Sequence, residues 1–345
     1  MSAVADEGRT DALSRSEPSA AATSAADLSD ANDEASVAPL TIDIATSVNS
    51  VYALPLLVML RSLRDRLPVE RRVVLHIVHK ALPDRVLSAL AQIVDLAPYQ
   101  VDEQTFAARV PILGMPHEAG APLLLPGLMP GHDRVLFLDA DLLVLDDITP
   151  LWQSELDGRA IGAVLDRPVG TCGARRGVKE TDRWPFDPAA PYFNAGILLM
   201  DLNAWRERQI AERAADYLRE VGTAVDLVQQ EALNAVASED WHPLPERWNL
   251  NAATAGRLWD PHAAEHRRNP GIIHFAGRMK PWRMRTGSPF DAAYAETLSR
   301  VTDPAPSPQS DLRKQLSDRM ATLYDKTVRN LVYPMENALW QRRIF

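Results

Sequence analysis

Residues 134–152 read RVLFLDADLLVLDDITPLW, an apolar run that ends in two aspartates one residue apart. A buried strand that stops at Leu138 and then turns presents Asp139 and Asp141 together at its open end. Two carboxylates held this way are hard oxygen ligands for a divalent cation. A second strand-like stretch, GIIHFAGRMKPW at 271–282, offers His274 as a third ligand. An imidazole beside two carboxylates favours Mn²⁺ over Mg²⁺. A dication in such a place can neutralise a diphosphate leaving group.

The flanking sequence sets this pair in a layered α/β domain. TIDIATS (41–47) and RVVLHIVH (72–79) read as buried strands. Between them, ALPLLVMLRSLRDRL has the apolar spacing of a helix packed on a sheet. LPDRVLSALAQIV (82–94) reads as a further helix, opened by proline and aspartate. Alternating strands and helices predict parallel pairing through helical crossovers. AIGAVLD (160–166) and GILLMDL (196–202) read as strands, with helices over 203–220 and 225–237. The stretch 167–191 between the two strands, rich in Gly, Pro and Arg, has the length of a functional loop or lid.

The chain has 345 residues, 46% hydrophobic and 24% charged, enough for one large domain with appendages. Residues 1–38 hold eight acids against Arg9 and Arg15, which accounts for most of the net charge of −9. That segment has almost no large apolar side chains and is expected to be a disordered acidic tail. Residues 39–302 form the expected catalytic domain. Residues 303–345 begin with a proline-rich linker and continue with Leu312, Leu316, Met320 and Leu323 at helical spacing. This amphipathic extension is expected to pack on the body, on a second subunit as a homodimer contact, or on an anionic membrane surface. The lone Cys172 excludes an internal disulfide. No secretory signal and no membrane-length apolar run is read in the sequence, so the expected location is cytoplasmic. No basic field points to nucleic acid.

Taken together, FLDADLLVLDDITPLW, YFNAGILLMDL (192–202), QQEALN (229–234) and HFAGRMKPW (274–282) resemble family 8 of the glycosyltransferases. These are retaining nucleotide-sugar enzymes with a GT-A fold, a Rossmann-like mixed sheet flanked by helices. The family includes lipopolysaccharide galactosyl- and glucosyltransferases and glycogenin. The resemblance, over about residues 41–290, implies transfer of a hexose, galactose or glucose, from a UDP-sugar to an acceptor hydroxyl that the sequence does not identify. It implies Mn²⁺ or Mg²⁺ held by Asp139, Asp141 and His274, with Asp139 also near the donor sugar. It places Asn49 and Tyr52 at the base, Asn194 on the donor hexose, Gly277 and Lys280 at the phosphates, and Asp166 near the acceptor. Gln230 keeps a family position. Gln229 stands where the family has a carboxylate, Asn49 where it has an aspartate, and Pro122 where it has an arginine. Arg175, Arg176 or Lys179 is expected to replace the missing cation. Because Gln230 is a poor nucleophile, the resemblance implies front-face retention, with Gln229 or Gln230 orienting the sugar or stabilising its developing cation.

Two rival readings use the same residues. A haloacid dehalogenase-class phosphatase or phosphomutase also carries two such aspartates after a strand, but usually near the start of its domain and with Thr or Val where Leu143 stands. A non-catalytic nucleotide-sugar binder would account for Pro122 and Gln229.

Overall fold

The computed structural model describes residues 40–111, 117–179, 183–225, 227–255 and 268–301. The acidic tail and the C-terminal extension lie outside these residues. Among the described residues, no helix is long and apolar enough to cross a membrane.

Among the described residues, ten strands form two sheets: β1 (Thr41–Ser47), β2 (Arg72–His79), β3 (Asp95–Gln100), β4 (Arg134–Leu138), β5 (Leu142–Val144), β6 (Ile161–Leu165), β7 (Phe193–Asp201), β8 (Trp241–Pro243), β9 (Leu250–Asn251) and β10 (Ile272–His274). The larger sheet has the order β3-β2-β1-β4-β7-β6-β8, and the smaller β5-β10-β9. β1 pairs in parallel with both β2 and β4, whereas β7 runs antiparallel to β4 and β6. The result is the expected mixed sheet. β3, however, is a strand that follows the helix expected over 82–94, in residues to which the sequence reading assigned no element. The helix there stops at Ala91, and Pro98 is tolerated because β3 lies at the sheet edge. The helical stretch expected over 203–220 is two helices, Leu202–Glu207 and Ile210–Val221, broken where Gln209 takes a positive φ of 52°.

β1 and β4 are neighbours although the chain reaches β2 and β3 between them. Their C-terminal ends therefore open a crevice at a topological switch point, where α/β sheets bind ligands. Cores fill both faces of the sheet. One includes Ala45, Val78, Phe137, Leu198 and Trp205, and the other Ile44, Leu75, Leu136, Leu138 and Ile197. The alternation of Phe137 and Leu138 between these cores shows why β4 reads as continuously apolar: it is buried on both sides. Most of the described part of 167–191 is not an open lid. Cys172, Val178 and Trp184 of that stretch are buried in the first core, and burial pushes the Cys172 thiol up to about 12.

Candidate functional site

Asp139 and Asp141 flank the turn between β4 and β5. His274 ends β10, which pairs antiparallel with β5 through His274 and Leu142. The backbone fixes both approaches: Asp139 N–H donates to Gly196 O at 2.8 Å, and Phe275 N–H donates to Asp141 O at 3.0 Å. Ligand atoms of the three side chains come within 4.8 Å of one another. His274 Nε2 lies 3.6 Å from Asp139 Oδ2 and 3.4 Å from Asp141 Oδ1.

The electrostatics are those of a cation site with its acids crowded together. Burial and the Asp141 charge push Asp139 up to about 7. For Asp141, burial acts upward but is outweighed by Lys280 and His274, which hold it well below the usual carboxylate range. Burial acts downward on His274, and Asp141 outweighs it, so the imidazole is held above its ordinary value. The Asp139 side chain is 37% exposed and that of Asp141 10%. The acid pushed up is thus the more accessible one.

A single backbone donor determines which way the histidine faces. Gly196 N–H donates to Asn194 Oδ1 at 2.9 Å, which orients that amide. Asn249 must then present Nδ2 to Asn194 Oδ1, also at 2.9 Å. Its oxygen is left for His274 Nδ1 at 2.9 Å. His274 therefore carries its proton on Nδ1 and turns Nε2 toward the carboxylates, the arrangement a metal-binding imidazole needs. Asn249 lies within the stretch ERWNLNA, whose role the sequence alone does not reveal.

The network continues inward. Asn194 Nδ2 and Gln230 Nε2 donate to Asp166 Oδ2 at 3.0 and 2.9 Å. Val169 N–H reaches Asp166 Oδ1 at 3.2 Å, and Gln230 Oε1 accepts from Ala195 N–H at 3.0 Å. Three of the four hydrogen-bonding positions of Asn194 are thus used within the protein, leaving one amide hydrogen for a ligand. The register between β6 and β7 shifts between Gly162 and Val164. Val164 then faces Asn194, which brings Asp166 to the same cleft. Asp166, Asn194, Asn249 and His274 line that cleft of about 440 Å³, open to solvent. Arg167 lies in its wall, paired through Nε and Nη2 with the two carboxylate oxygens of Glu246. Arg175, Arg176 and Lys179 do not line this cleft. The Lys179 backbone N–H bonds Tyr217 Oη at 2.9 Å, and its Nζ donates to Arg175 O at 3.3 Å.

Lys280 Nζ bonds Asp141 Oδ2 and, at 2.7 Å, Phe275 O. Gly277, with φ +86°, supplies the left-handed turn that brings the lysine back. The ammonium stands 5.9 Å from the Tyr52 ring centre and 5.5 Å from that of Trp282. Tyr52 meets Trp282 edge-on at 5.7 Å. Asn49 caps the short helical turn Ser50–Tyr52, its Oδ1 accepting from Val51 N–H at 3.0 Å. The described part of the Pro122 segment is a 3₁₀ turn with Ala121, Leu123 and Leu124 in the core. Glu231 is fully buried and bonds Tyr217 Oη at 2.7 Å. Gln229 Oε1 is buried and has no hydrogen-bond partner.

The donor set and the space around it suit a divalent ion. Gly196 is the clearest sign: a Cβ there would stand 2.3 Å from His274 Cε1 and 2.8 Å from Asp139 Oδ2. The strand is bare where the ligands converge.

Residues 115–286 match the family model described as Glycosyl transferase family 8. General stress protein A of Bacillus subtilis (strain 168) is 32% identical over 175 residues, covering 48% of this chain and 58% of its own length. Probable galacturonosyltransferase-like 9 of Arabidopsis thaliana is 30% identical over 167 residues, 45% of this chain and 42% of its own. Galactosyltransferase LgtC, solved in complex with donor and acceptor sugar analogs, superposes at a TM-score of 0.63 with 22% identity, over 79% of this chain and 99% of its own. The chain spans about half the length of these two curated relatives. The structural likeness gives the fold, that of GT-A glycosyltransferases.

Proposed function

We propose that this chain, which belongs to glycosyltransferase family 8, moves a hexose from a UDP-sugar to an acceptor hydroxyl with a divalent ion held by Asp139, Asp141 and His274. The observation that carries this reading is the convergence of those three side chains from two strands at the sheet's switch point, with His274 Nε2 facing the carboxylates. Bound there, the ion supplies the charge that a departing diphosphate needs.

The remaining work falls to the chain. Tyr52 offers an aromatic face for the base, and Asn49 a second lone pair on Oδ1 for the uracil N3–H. Lys280, which bonds Asp141 and Phe275 O, would place its ammonium beside a diphosphate held at this site, where a positive charge would lower the barrier as negative charge develops. The last amide hydrogen of Asn194 reaches a hexose hydroxyl in the cleft, and Asp166 positions the acceptor.

The transfer is front-face and retaining. The bond from the anomeric carbon to the diphosphate oxygen breaks, the acceptor oxygen bonds the same face, and the acceptor proton passes to the departing phosphate oxygen. Two features favour this over a covalent intermediate. Glu231 is turned away toward Tyr217, and Asp166 has its oxygens engaged by Asn194, Gln230 and Val169. Gln230 acts by holding Asp166 and the Ala195 backbone in place.

Donor identity is read with UDP-galactose, UDP-glucose and UDP-galacturonate, by UDP release with Mn²⁺ and with EDTA. Metal-dependent release from one of them supports the proposal. Binding without release of UDP, with any acceptor, would make the chain a nucleotide-sugar binder.

A further inference from the structure

A second set of metal-ligand side chains stands at the other end of β4. Asp43 on β1, His76 on β2 and His132, two residues before β4, bring their ligand atoms within 4.8 Å of one another. His76 Nε2 lies 2.8 Å from Asp43 Oδ1, and His132 Nε2 lies 3.8 Å from the same oxygen. The two imidazoles meet edge to face with centres 4.8 Å apart. Four-coordinate Zn²⁺, with bonds of about 2.0–2.2 Å, holds neighbouring ligand atoms roughly 3.3–3.5 Å apart. The observed 2.8 and 3.8 Å bracket that spacing, so the shift needed is of the order of a rotamer adjustment.

We propose that Asp43, His76 and His132 form a second, structural site for a borderline divalent transition ion such as Zn²⁺. Two imidazoles and one carboxylate select such an ion over Mg²⁺ or Ca²⁺, which prefer all-oxygen shells. The set also has the supporting group that metal histidines carry: Tyr99 Oη lies 3.2 Å from His76 Nδ1, the nitrogen on the far side of that ring. His132 is the side chain that ordinary hydrogen bonding leaves unexplained. Its Nδ1 is buried with no partner, and its Nε2 is beyond hydrogen-bond reach of Asp43. Access is built in, since the side chains of Asp43 and His132 are 21% and 34% exposed while His76 is 3%. A fourth position remains open to water on that side.

This site is separate from the one at Asp139 and Asp141. Asp43 is level with Val135, four residues before Asp139, so the two sets lie roughly 13 Å apart along β4. A bound ion would tie β1 and β2 to the chain entering β4, the strand whose far end delivers Asp139. Its role is to anchor that strand, and it holds whether or not the sugar-transfer reading does.

The test uses the full chain without a histidine tag, carrying Asp139→Ala and Asp141→Ala to disable the first site. Co²⁺ is titrated while its visible d–d absorption is recorded, and Zn²⁺ is titrated by calorimetry. One equivalent is expected for each ion, with a rise in melting temperature on Zn²⁺ addition. On that background, His132→Gln or Asp43→Asn should weaken binding at least 100-fold, and Tyr99→Phe about tenfold. With Asp139 and Asp141 intact, His132→Gln should leave Mn²⁺-dependent UDP release unchanged. Circular dichroism confirms that each variant is folded, and the exposed His132 makes its variant the safest. No saturable equivalent, or one that survives both His132→Gln and Asp43→Asn, would overturn the proposal and leave a hydrogen-bonded Asp43–His76–Tyr99 network.

Discussion

Replacing Gly196 by alanine puts one methyl group where the ligands of the candidate metal site meet. Gly196 lies inside β7 and does not take a positive φ. The glycine is therefore there for space rather than for backbone freedom. The new carbon would stand 2.3 Å from His274 Cε1, against about 3.4 Å for the closest ordinary contact. The ring has to retreat by roughly 1.1 Å, and Asp139 Oδ2, at 2.8 Å, by roughly half as much. Neither group is free to do so. His274 is 5% exposed and tied through Nδ1 to Asn249, and moving β7 instead drags Asp139, whose N–H is bonded to Gly196 O. Metal sites tolerate ligand displacements of about 0.2 Å. The substitution should weaken Mn²⁺ binding by at least 10–100-fold, the loss typical when a supporting group is removed. Overpacking costs about 1–3 kcal/mol of stability, which leaves the chain folded. Calorimetric titration with Mn²⁺ gives the affinity, and a thermal melt confirms folding. A folded Gly196→Ala protein with wild-type Mn²⁺ affinity would refute this account of how Asp139 and His274 converge.

Asn249→Ala removes the acceptor that fixes the His274 tautomer, so Mn²⁺ affinity by calorimetry should fall about 10–100-fold while the fold persists. Metal affinity should depend on pH with a definite sign. Asp139 is raised to about 7 and His274 is also raised, so the ion competes with protons at both, and binding weakens as pH falls below 7, by about tenfold per unit for each proton displaced. Titration in buffers of different ionisation enthalpy should detect the released protons, and a flat profile from pH 5 to 8 would contradict this. Gln230→Ala should slow turnover without abolishing it, and the product anomer, read by NMR, should match the donor's α configuration. A sugar adduct on Asp166 found by mass spectrometry would overturn the front-face step. Deleting residues 1–38, which lack large apolar side chains, should leave melting temperature and turnover nearly unchanged.

The parts of the molecule legible in the sequence are those where one residue type answers to one local demand. Strand β4 announced itself because it is buried on both faces, whereas the two aspartates after it, a spacing common at strand ends, gained meaning from the company of the YFNAG, QQE and HFAGRMKPW segments. His274 was legible through its neighbours Gly277 and Lys280. The expectation for Lys280 was a phosphate contact; its ion pair with Asp141, 139 residues earlier in the chain, is a contact that only the fold brings about. Asn249 was missed because its role exists only across three elements, β7, β10 and the chain before β9. Gly196 was read as the start of a strand, but not as the residue whose missing side chain makes room for His274 and Asp139. Arg167 was overlooked for the basic cluster at 175–179, because loop composition does not show which side faces the cleft. β3 was not read at all; its DLAPYQ has little apolar alternation, and its Pro98 is tolerated only because the strand lies at a sheet edge.

If Asp139, Asp141 and His274 hold a divalent ion, a nucleotide diphosphate binds through it. UDP affinity is therefore measured by calorimetry, with saturating Mn²⁺ and again with excess EDTA, in the wild-type chain and in Asp141→Asn. Tight UDP binding is expected only in the wild-type protein with Mn²⁺, with a loss of at least 100-fold in each of the other three conditions. Equal UDP affinity with Mn²⁺ and with EDTA would show that no ion at these residues bridges the nucleotide to the protein.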